Sequence, residues 1–98
     1  MNMFEYFDEC KKGLPIPLNW VDVSYYNATC PCFEVYINKQ NFVIYLDHEN
    51  EDLRDFGNLV KRFRVYKYED KENENFYDDF SYQTDNFNEL LNFINKLS

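Results

Sequence analysis

Cysteine and histidine are the residues whose positions in this sequence raise the question of a metal or redox site. Cys30 and Cys32 form a Cys-Pro-Cys motif, and only Cys10 and His48 remain to complete a ligand set. A structural zinc site uses four ligands, usually in two pairs with two to four residues between partners. A redox pair normally spaces its cysteines by two residues. The sequence therefore predicts no metal site, no cofactor and half-buried thiols at the start of a strand.

Carboxylates are the most abundant reactive groups, and they lie in two clusters. Residues 47–55 hold five carboxylates against Arg54, and the stretch YEDKENENFYDD at 68–79 holds six against Lys71. Neither cluster has the ligand spacing and central glycine of an EF-hand calcium loop. No nucleophile is accompanied by a base and a third orienting group. We therefore expect the chain not to be an enzyme, with paired carboxylates for acid–base catalysis as the open alternative.

The formal net charge of −8, from 18 acidic and 10 basic side chains, restricts the class of partner. Nucleic-acid binding requires positive charge that neutralises phosphates, and an anionic membrane surface would repel this chain. The expected partner is a basic protein surface, and acidity that serves only solubility is the alternative. The first residues, MNMFEYFDEC, lack the basic and apolar regions of a secretion signal. We therefore expect a cytoplasmic protein, acting in a host cell, with no direct nucleic-acid or membrane partner.

Hydrophobic periodicity predicts one α+β domain over residues 1–98, a small antiparallel sheet of three to four strands packed with an N-terminal and a C-terminal helix. Apolar residues at helical spacing predict helices over 1–12 and 86–97, the second opened by Asn86 and Glu89 as a capping box. A further short helix is expected after Asn50, with a buried stripe of Leu53, Phe56 and Val60.

Strands are predicted where apolar and polar residues alternate, over 19–27, 33–38, 42–46 and 62–68. The two central strands are expected to be joined by the four-residue turn NKQN. A further short strand or turn is expected around Tyr82. Arg62 and Arg64 alternate with Phe63 and Val65, so we expect both arginines to point away from the core. There they would pair with Glu34 or the acidic helix, or form a positive stripe.

The chain resembles the small acidic phage proteins that inhibit CRISPR nucleases. The resemblance covers size, charge and the order of elements, and it includes an acidic-aromatic stretch after the sheet, here YEDKENENFYDD. It implies a stoichiometric inhibitor that imitates nucleic acid and occupies the DNA-binding, PAM-reading surface of a CRISPR effector. An immunity protein that neutralises a cationic nuclease toxin is the alternative, and a housekeeping interaction module is a third possibility.

The two acidic clusters supply the residues that are expected to bind such a partner. An ordered array of carboxylates can occupy a groove whose lysines and arginines match the spacing of phosphates, and neighbouring aromatic rings can act as anchors. The carboxylates expected to bind are Asp47, Glu49, Glu51, Asp52, Asp55, Glu69, Asp70, Glu72, Glu74, Asp78 and Asp79. The expected aromatic anchors are Tyr68 and Tyr77.

Overall fold

The fold is a five-stranded antiparallel sheet, preceded by one helix and followed by another. The computed structural model describes residues 3–24, 30–54, 59–68 and 82–97. The elements are α1 (Met3–Lys11), β1 (Val21–Asp22), β2 (Cys32–Ile37), β3 (Gln40–Leu46), β4 (Phe63–Tyr68), β5 (Tyr82–Thr84) and α2 (Phe87–Lys96). Strands that follow each other in the chain are neighbours in the sheet, in the order β1-β2-β3-β4-β5. The predicted α+β class is confirmed, with five strands where three to four were expected.

Both edge strands of the sheet are short. The fifth strand, β5, lies where a short strand or turn was expected around Tyr82. β1 has two residues and β5 has three, and short edge strands offer little backbone for pairing with other chains. The predicted first strand, over 19–27, was too long. Residues 17–20 form a turn in which the Trp20 N–H donates to the Pro17 carbonyl at 3.2 Å. Pairing with β2 therefore begins only at Val21.

The β2–β3 hairpin closes with a shorter turn than the sequence suggested. Ile37 pairs with Gln40, so the turn consists of Asn38 and Lys39 alone, and Gln40 and Asn41 belong to β3. Asn38 and Lys39 have φ of 50° and 67°. Positive φ at both central residues is typical of the type I′ turn, whose twist matches that of the flanking strands. Asparagine tolerates this conformation better than most residues.

One face of the sheet carries the hydrophobic core, and α2 packs on it. The register places Phe33, Ile44 and Val65 side by side across three strands, and they share one buried cluster with Leu90 and Ile94 of α2. The start of α2 is confirmed, since the Asn86 side chain accepts from the Glu89 N–H at 3.1 Å. In a complete capping box the Glu89 carboxylate would accept from the Asn86 N–H. It accepts instead from the Thr84 hydroxyl at 2.7 Å, so only the Asn86 half of the predicted capping box is present.

The predicted short helix after Asn50 is a single 3₁₀ turn, Glu51–Leu53. Asn50 caps it as expected, because its side-chain oxygen accepts from the Asp52 N–H at 3.0 Å. The helix stops because Arg54 has extended backbone angles, φ −81° and ψ 147°. The predicted buried stripe was wrong at Leu53, which is 47% exposed, and Phe56 lies outside the described residues.

Helix α1 is attached to the end of the sheet at which β3 ends and β4 begins. It buries Phe7 and Cys10, and the Cys10 carbonyl accepts from Nη2 of Arg62 at 3.1 Å. Gly13, at φ 75°, follows the helix in the left-handed region, which glycine adopts without steric cost. Among the helices of the described residues, none has both the length and the apolar character needed to cross a bilayer.

Candidate functional site

The first acidic cluster lies in the loop that follows β3, and Arg54 holds this loop in place. The Arg54 guanidinium donates to the carbonyl oxygens of His48 at 2.7 Å, Glu49 at 3.2 Å and Val60 at 3.3 Å. Its side chain is only 6% exposed. A guanidinium presents its five N–H donors in a fixed plane. One arginine therefore orders the loop backbone. Its Nη1 also lies 3.7 Å from Oδ1 of the exposed Asp85, so part of its charge is paired with a carboxylate outside this loop.

Three predicted binding residues of this loop, Glu49, Glu51 and Asp52, are exposed as expected. Their carboxylates make no hydrogen bond or ion pair with side chains of the described residues. They are carried on a backbone that is fixed by Arg54 and by the Asn50 cap. A partner that binds them does not have to order this loop, which would otherwise cost about 1–2 kcal/mol per residue.

Helix α1 lies beside this loop and adds carboxylates that the sequence analysis did not include. Nδ1 of His48 accepts from the Asn50 N–H, so Nε2 carries the ring hydrogen and donates to Glu9 at 2.8 Å. The Tyr6 hydroxyl donates to the Leu53 carbonyl at 3.0 Å. Glu5 and Asp8 precede Glu9 at the spacing that puts side chains on one helix face, and all three are exposed. The spacing of these three carboxylates is visible in the sequence, but the position of α1 beside the loop depends on tertiary contacts. We call Glu5, Asp8, Glu9, Glu49, Glu51 and Asp52 the acidic surface.

Asp47 is not part of the acidic surface, contrary to its prediction as a partner-binding residue. Its side chain is 3% exposed, and Oδ2 accepts from Nη2 of Arg64 at 2.9 Å. Oδ1 accepts from the His48 N–H at 2.9 Å and from the Tyr6 hydroxyl at 3.2 Å. Burial and the adjacent Asp47 carboxylate raise the pKa of Tyr6, which keeps this phenol protonated and able to donate. Asp47 thus joins α1, β3 and β4 inside the fold.

Arg64 of β4 and Arg62, which directly precedes this strand, also lie inward, contrary to the expectation that both point away from the core. Arg64 is 4% exposed, and its partner is Asp47 and not Glu34. Arg62 is half-buried, and its guanidinium donates to the carbonyls of Asp47 at 3.0 Å and Cys10 at 3.1 Å. Burial lowers the pKa of Arg62. These two residues therefore form no positive stripe on the described surface.

The second acidic cluster falls outside the described residues. Its predicted binding residues there are Glu69, Asp70, Glu72, Glu74, Tyr77, Asp78 and Asp79, and Asp55 of the first cluster is also outside the described residues. Tyr68 is the last residue of β4, and its backbone pairs with Asn41 of β3. The predictions for these residues stay predictions that rest on the sequence.

The three cysteines are free and buried more completely than expected. Cys10 and Cys30 are 0% exposed and Cys32 is 2% exposed. Burial raises the pKa of Cys10 to about 12 and that of Cys32 to about 11, and carboxylates nearby, Asp47 and Asp22, add to the two effects. Within the described ranges, no three histidine, cysteine or carboxylate side chains converge to hold a metal ion.

Alkylation by iodoacetamide at pH 8 is expected to be far slower at Cys10 in the folded protein than in the urea-unfolded chain. The thiolate is the reactive form, and a pKa of about 12 in place of 9.0 lowers its population about 1,000-fold. The same change makes stability pH-dependent, since this contribution is complete below pH 9.0 and is lost as the pH rises towards 12. Peptide mass spectrometry measures each rate, and equal rates in both states would contradict the burial of Cys10.

The described residues thus combine an exposed row of carboxylates with arginines turned into the protein. Comparison of the chain with protein-family models, with curated proteins and with solved structures gives no match in any of the three.

Proposed function

We propose that this protein is a stoichiometric inhibitor that binds the basic nucleic-acid-binding cleft of another protein by imitating the charge of a polynucleotide. The acidic surface is the part of the described chain that would enter the cleft. The stretch at 69–79 would extend the contact, with Tyr68 and Tyr77 as anchors. The favoured target class is a CRISPR effector in a phage-infected cell, and a cationic nuclease toxin is the alternative.

The observation that carries this proposal is the separation of charge between the inside and the outside of the fold. Arg54, Arg62 and Arg64 donate to internal carbonyls and to Asp47. Glu49, Glu51 and Asp52 remain on the surface and make no side-chain hydrogen bond or close ion pair with the described residues, although Glu49 lies near enough to Arg62 to interact with its charge. A protein whose acidity served only solubility would have no need to withdraw its arginines from the surface. With a net charge of −8, the external field is dominated by carboxylates.

Order in the loop is the second support, because a nucleic-acid mimic must present its charges at fixed positions. Phosphates along one DNA strand repeat every ~3.4 Å of helix axis, and a basic cleft holds its lysines and arginines to match. Carboxylates on a mobile loop would lose much of the interaction energy to ordering. The Arg54 hydrogen bonds and the contacts of Tyr6 and Glu9 from α1 hold this loop in one arrangement.

Neutralising the loop is expected to weaken inhibition strongly. The variant Glu49→Gln/Glu51→Gln/Asp52→Asn changes the net charge from −8 to −5. The control Gln40→Lys/Asn88→Lys/Asn92→Lys gives the same net charge at exposed positions elsewhere. Purified CRISPR nucleases and nuclease toxins are assayed for DNA cleavage with each variant. For the enzyme that the parent inhibits, association with the loop variant should be about tenfold slower or more, while the control stays close to the parent.

Two outcomes would contradict the proposal. One is a parent protein that inhibits none of these enzymes at stoichiometric amounts. The other is a loop variant and a Glu69→Lys/Asp70→Lys/Glu72→Lys/Glu74→Lys variant that both inhibit as well as the parent. The enzyme that is inhibited decides between a CRISPR effector and a toxin. Inhibition should also weaken as salt rises, because the interacting charges are exposed.

A further inference from the structure

The edge of β2 is only partly covered by β1. The two strands pair at Val21 with Glu34 and at Asp22 with Phe33, and the Val23 N–H donates to the Cys32 carbonyl at 3.0 Å. Towards the β2–β3 turn, the pairing ends at Val21. Ile37 and Gln40 are the pair that closes the β2–β3 hairpin, so the backbone N–H and C=O of Ile37 form their hydrogen bonds with β3. Successive residues of a strand direct their backbone groups to opposite sides, which turns the N–H and C=O of Tyr36 towards the free edge. No hydrogen bond to these two groups occurs within the described part of the chain.

A groove of about 350 Å³ lies beside this free edge, between β2 and α2. Its apolar wall comes from Trp20, Ile37, Leu91 and Ile94, and asparagine side chains lie at its rim. This volume is at the lower end of the range for ligand pockets, ~300–1,000 Å³. An edge strand, a helix and a groove between them that is lined by both apolar and amide side chains can bind an extended peptide by strand addition.

Exposed apolar side chains are concentrated around the same edge. Leu18 is 103% exposed in the turn that borders the groove, Tyr36 is 67% exposed and Val21 is 60% exposed. Val21 pairs with Glu34, two residues from Tyr36, so these two side chains lie on the same face of the sheet, the face opposite the one that α2 covers. Clustered apolar exposure of this kind marks interaction surfaces in otherwise well-packed domains.

The charge around the groove differs from that of the rest of the protein. No acidic side chain lines it. At the hairpin end, the Asn38 side chain donates to the Leu97 carbonyl. The exposed Lys39 and Lys96 directly follow Asn38 and Asn95, two residues that line the groove. Neither lysine has an ion pair with the described residues. In a protein with net charge −8, two lysines thus flank a groove that has no carboxylate in its described lining, and this favours a carboxylate on the occupant.

We propose that this groove binds a short extended segment of another protein that carries an apolar side chain preceded by a carboxylate. The segment lies antiparallel to β2 and exchanges two hydrogen bonds with the backbone of Tyr36. Its apolar side chain enters the groove, and its carboxylate lies near Lys39 and Lys96. This site is separate from the acidic surface, because the hairpin turn and the acidic loop lie at opposite ends of β3, ~20 Å apart for a strand of seven residues.

The test titrates the ¹⁵N-labelled full chain with the blocked peptide acetyl-Thr-Asp-Leu-Thr-Thr-amide and follows amide and indole NMR shifts. Saturable shifts are expected at Tyr36, Asn95 and the Trp20 indole, and none at Gln83 on the opposite sheet edge. Three control peptides carry Lys for Asp, Ser for Leu, or an N-methyl group on the Thr after Leu. Each should bind about three- to tenfold more weakly, since each loses the charge contact, the apolar contact or a backbone hydrogen bond.

Substitutions in the protein test the same contacts as the control peptides. Tyr36→Pro removes the N–H at the free edge, where proline is tolerated, and should abolish the shifts. Lys39→Gln/Lys96→Gln changes exposed residues only and should remove the preference for Asp over Lys in the peptide. The neutralised loop variant should bind the peptide as the parent does.

Three results would overturn the proposal. The first is the absence of saturable shifts at millimolar peptide, and the second is an N-methylated peptide that binds as well as its parent. The third is a protein that dimerises through Tyr36 in sedimentation experiments, because a second copy would then fill the edge.

Discussion

Replacing Asp47 with alanine is expected to lower the free energy of unfolding by about 3–5 kcal/mol. The Asp47 and Arg64 side chains are 3% and 5% exposed, and they pair at 2.9 Å. Without the carboxylate, Arg64 keeps its charge in the interior, and its Nε already lacks a partner among the described residues. The Tyr6 hydroxyl and the His48 N–H also lose an acceptor. Urea denaturation of the variant measures the loss.

Two further variants separate the burial of charge from the loss of a carboxylate as such. Glu49→Ala removes an exposed carboxylate two residues away and should change stability by no more than about 0.5 kcal/mol. Asp47→Leu/Arg64→Met replaces the whole pair with apolar side chains and should recover much of the loss, because no unpaired charge remains. A loss below about 1 kcal/mol for Asp47→Ala would contradict the buried ion pair.

The second large effect is expected at Leu90, which is 0% exposed where α2 meets the sheet. Leu90→Ala should cost about 2–5 kcal/mol, because it removes buried methyl groups and leaves a cavity in a closely packed cluster. In a chain of 98 residues whose total stability is expected near 5–15 kcal/mol, such a loss is a large part of the whole. Thermal and urea unfolding, followed by circular dichroism, measure it.

The matched control for Leu90 is Leu59→Ala, since Leu59 is 82% exposed. The same chemical change at an exposed position should alter stability by about 0.5 kcal/mol or less. Equal losses in the two variants would mean that α2 does not cover the sheet in the way described, and the groove beside β2 would lose its helical wall.

The hairpin and the C-terminal helix could be predicted from the sequence because their signals are local. Alternation in FEVYIN and FVIYL places Phe33 and Ile44 on one face whatever lies around them. The stripe that includes Leu90 and Ile94 forms one side of a helix at any position in the fold, and Asn86 marks where it begins. The turn was predicted too long, because its length depends on which residues pair across the hairpin.

The candidate site was predictable in part. Glu49, Glu51 and Asp52 lie on the surface, as a polar segment after a strand would suggest. Asp47 belongs to the same acidic stretch of the sequence, but its side chain is buried because it pairs with Arg64 of β4. No pattern within the chain indicates this, since the two residues are 17 positions apart.

The sequence by itself determined the α+β class, the central hairpin, the last helix and the excess of negative charge. All four depend on composition or on periodicity over a few residues. Only the tertiary structure decided which charges are inside, how α1 extends the acidic surface and where β2 is left without a neighbour. These features depend on contacts between residues far apart in the chain, such as Tyr6 with Asp47 and Asn38 with Leu97. Local propensity carries no information about such contacts, because folding brings these residues together only when the sheet and both helices pack.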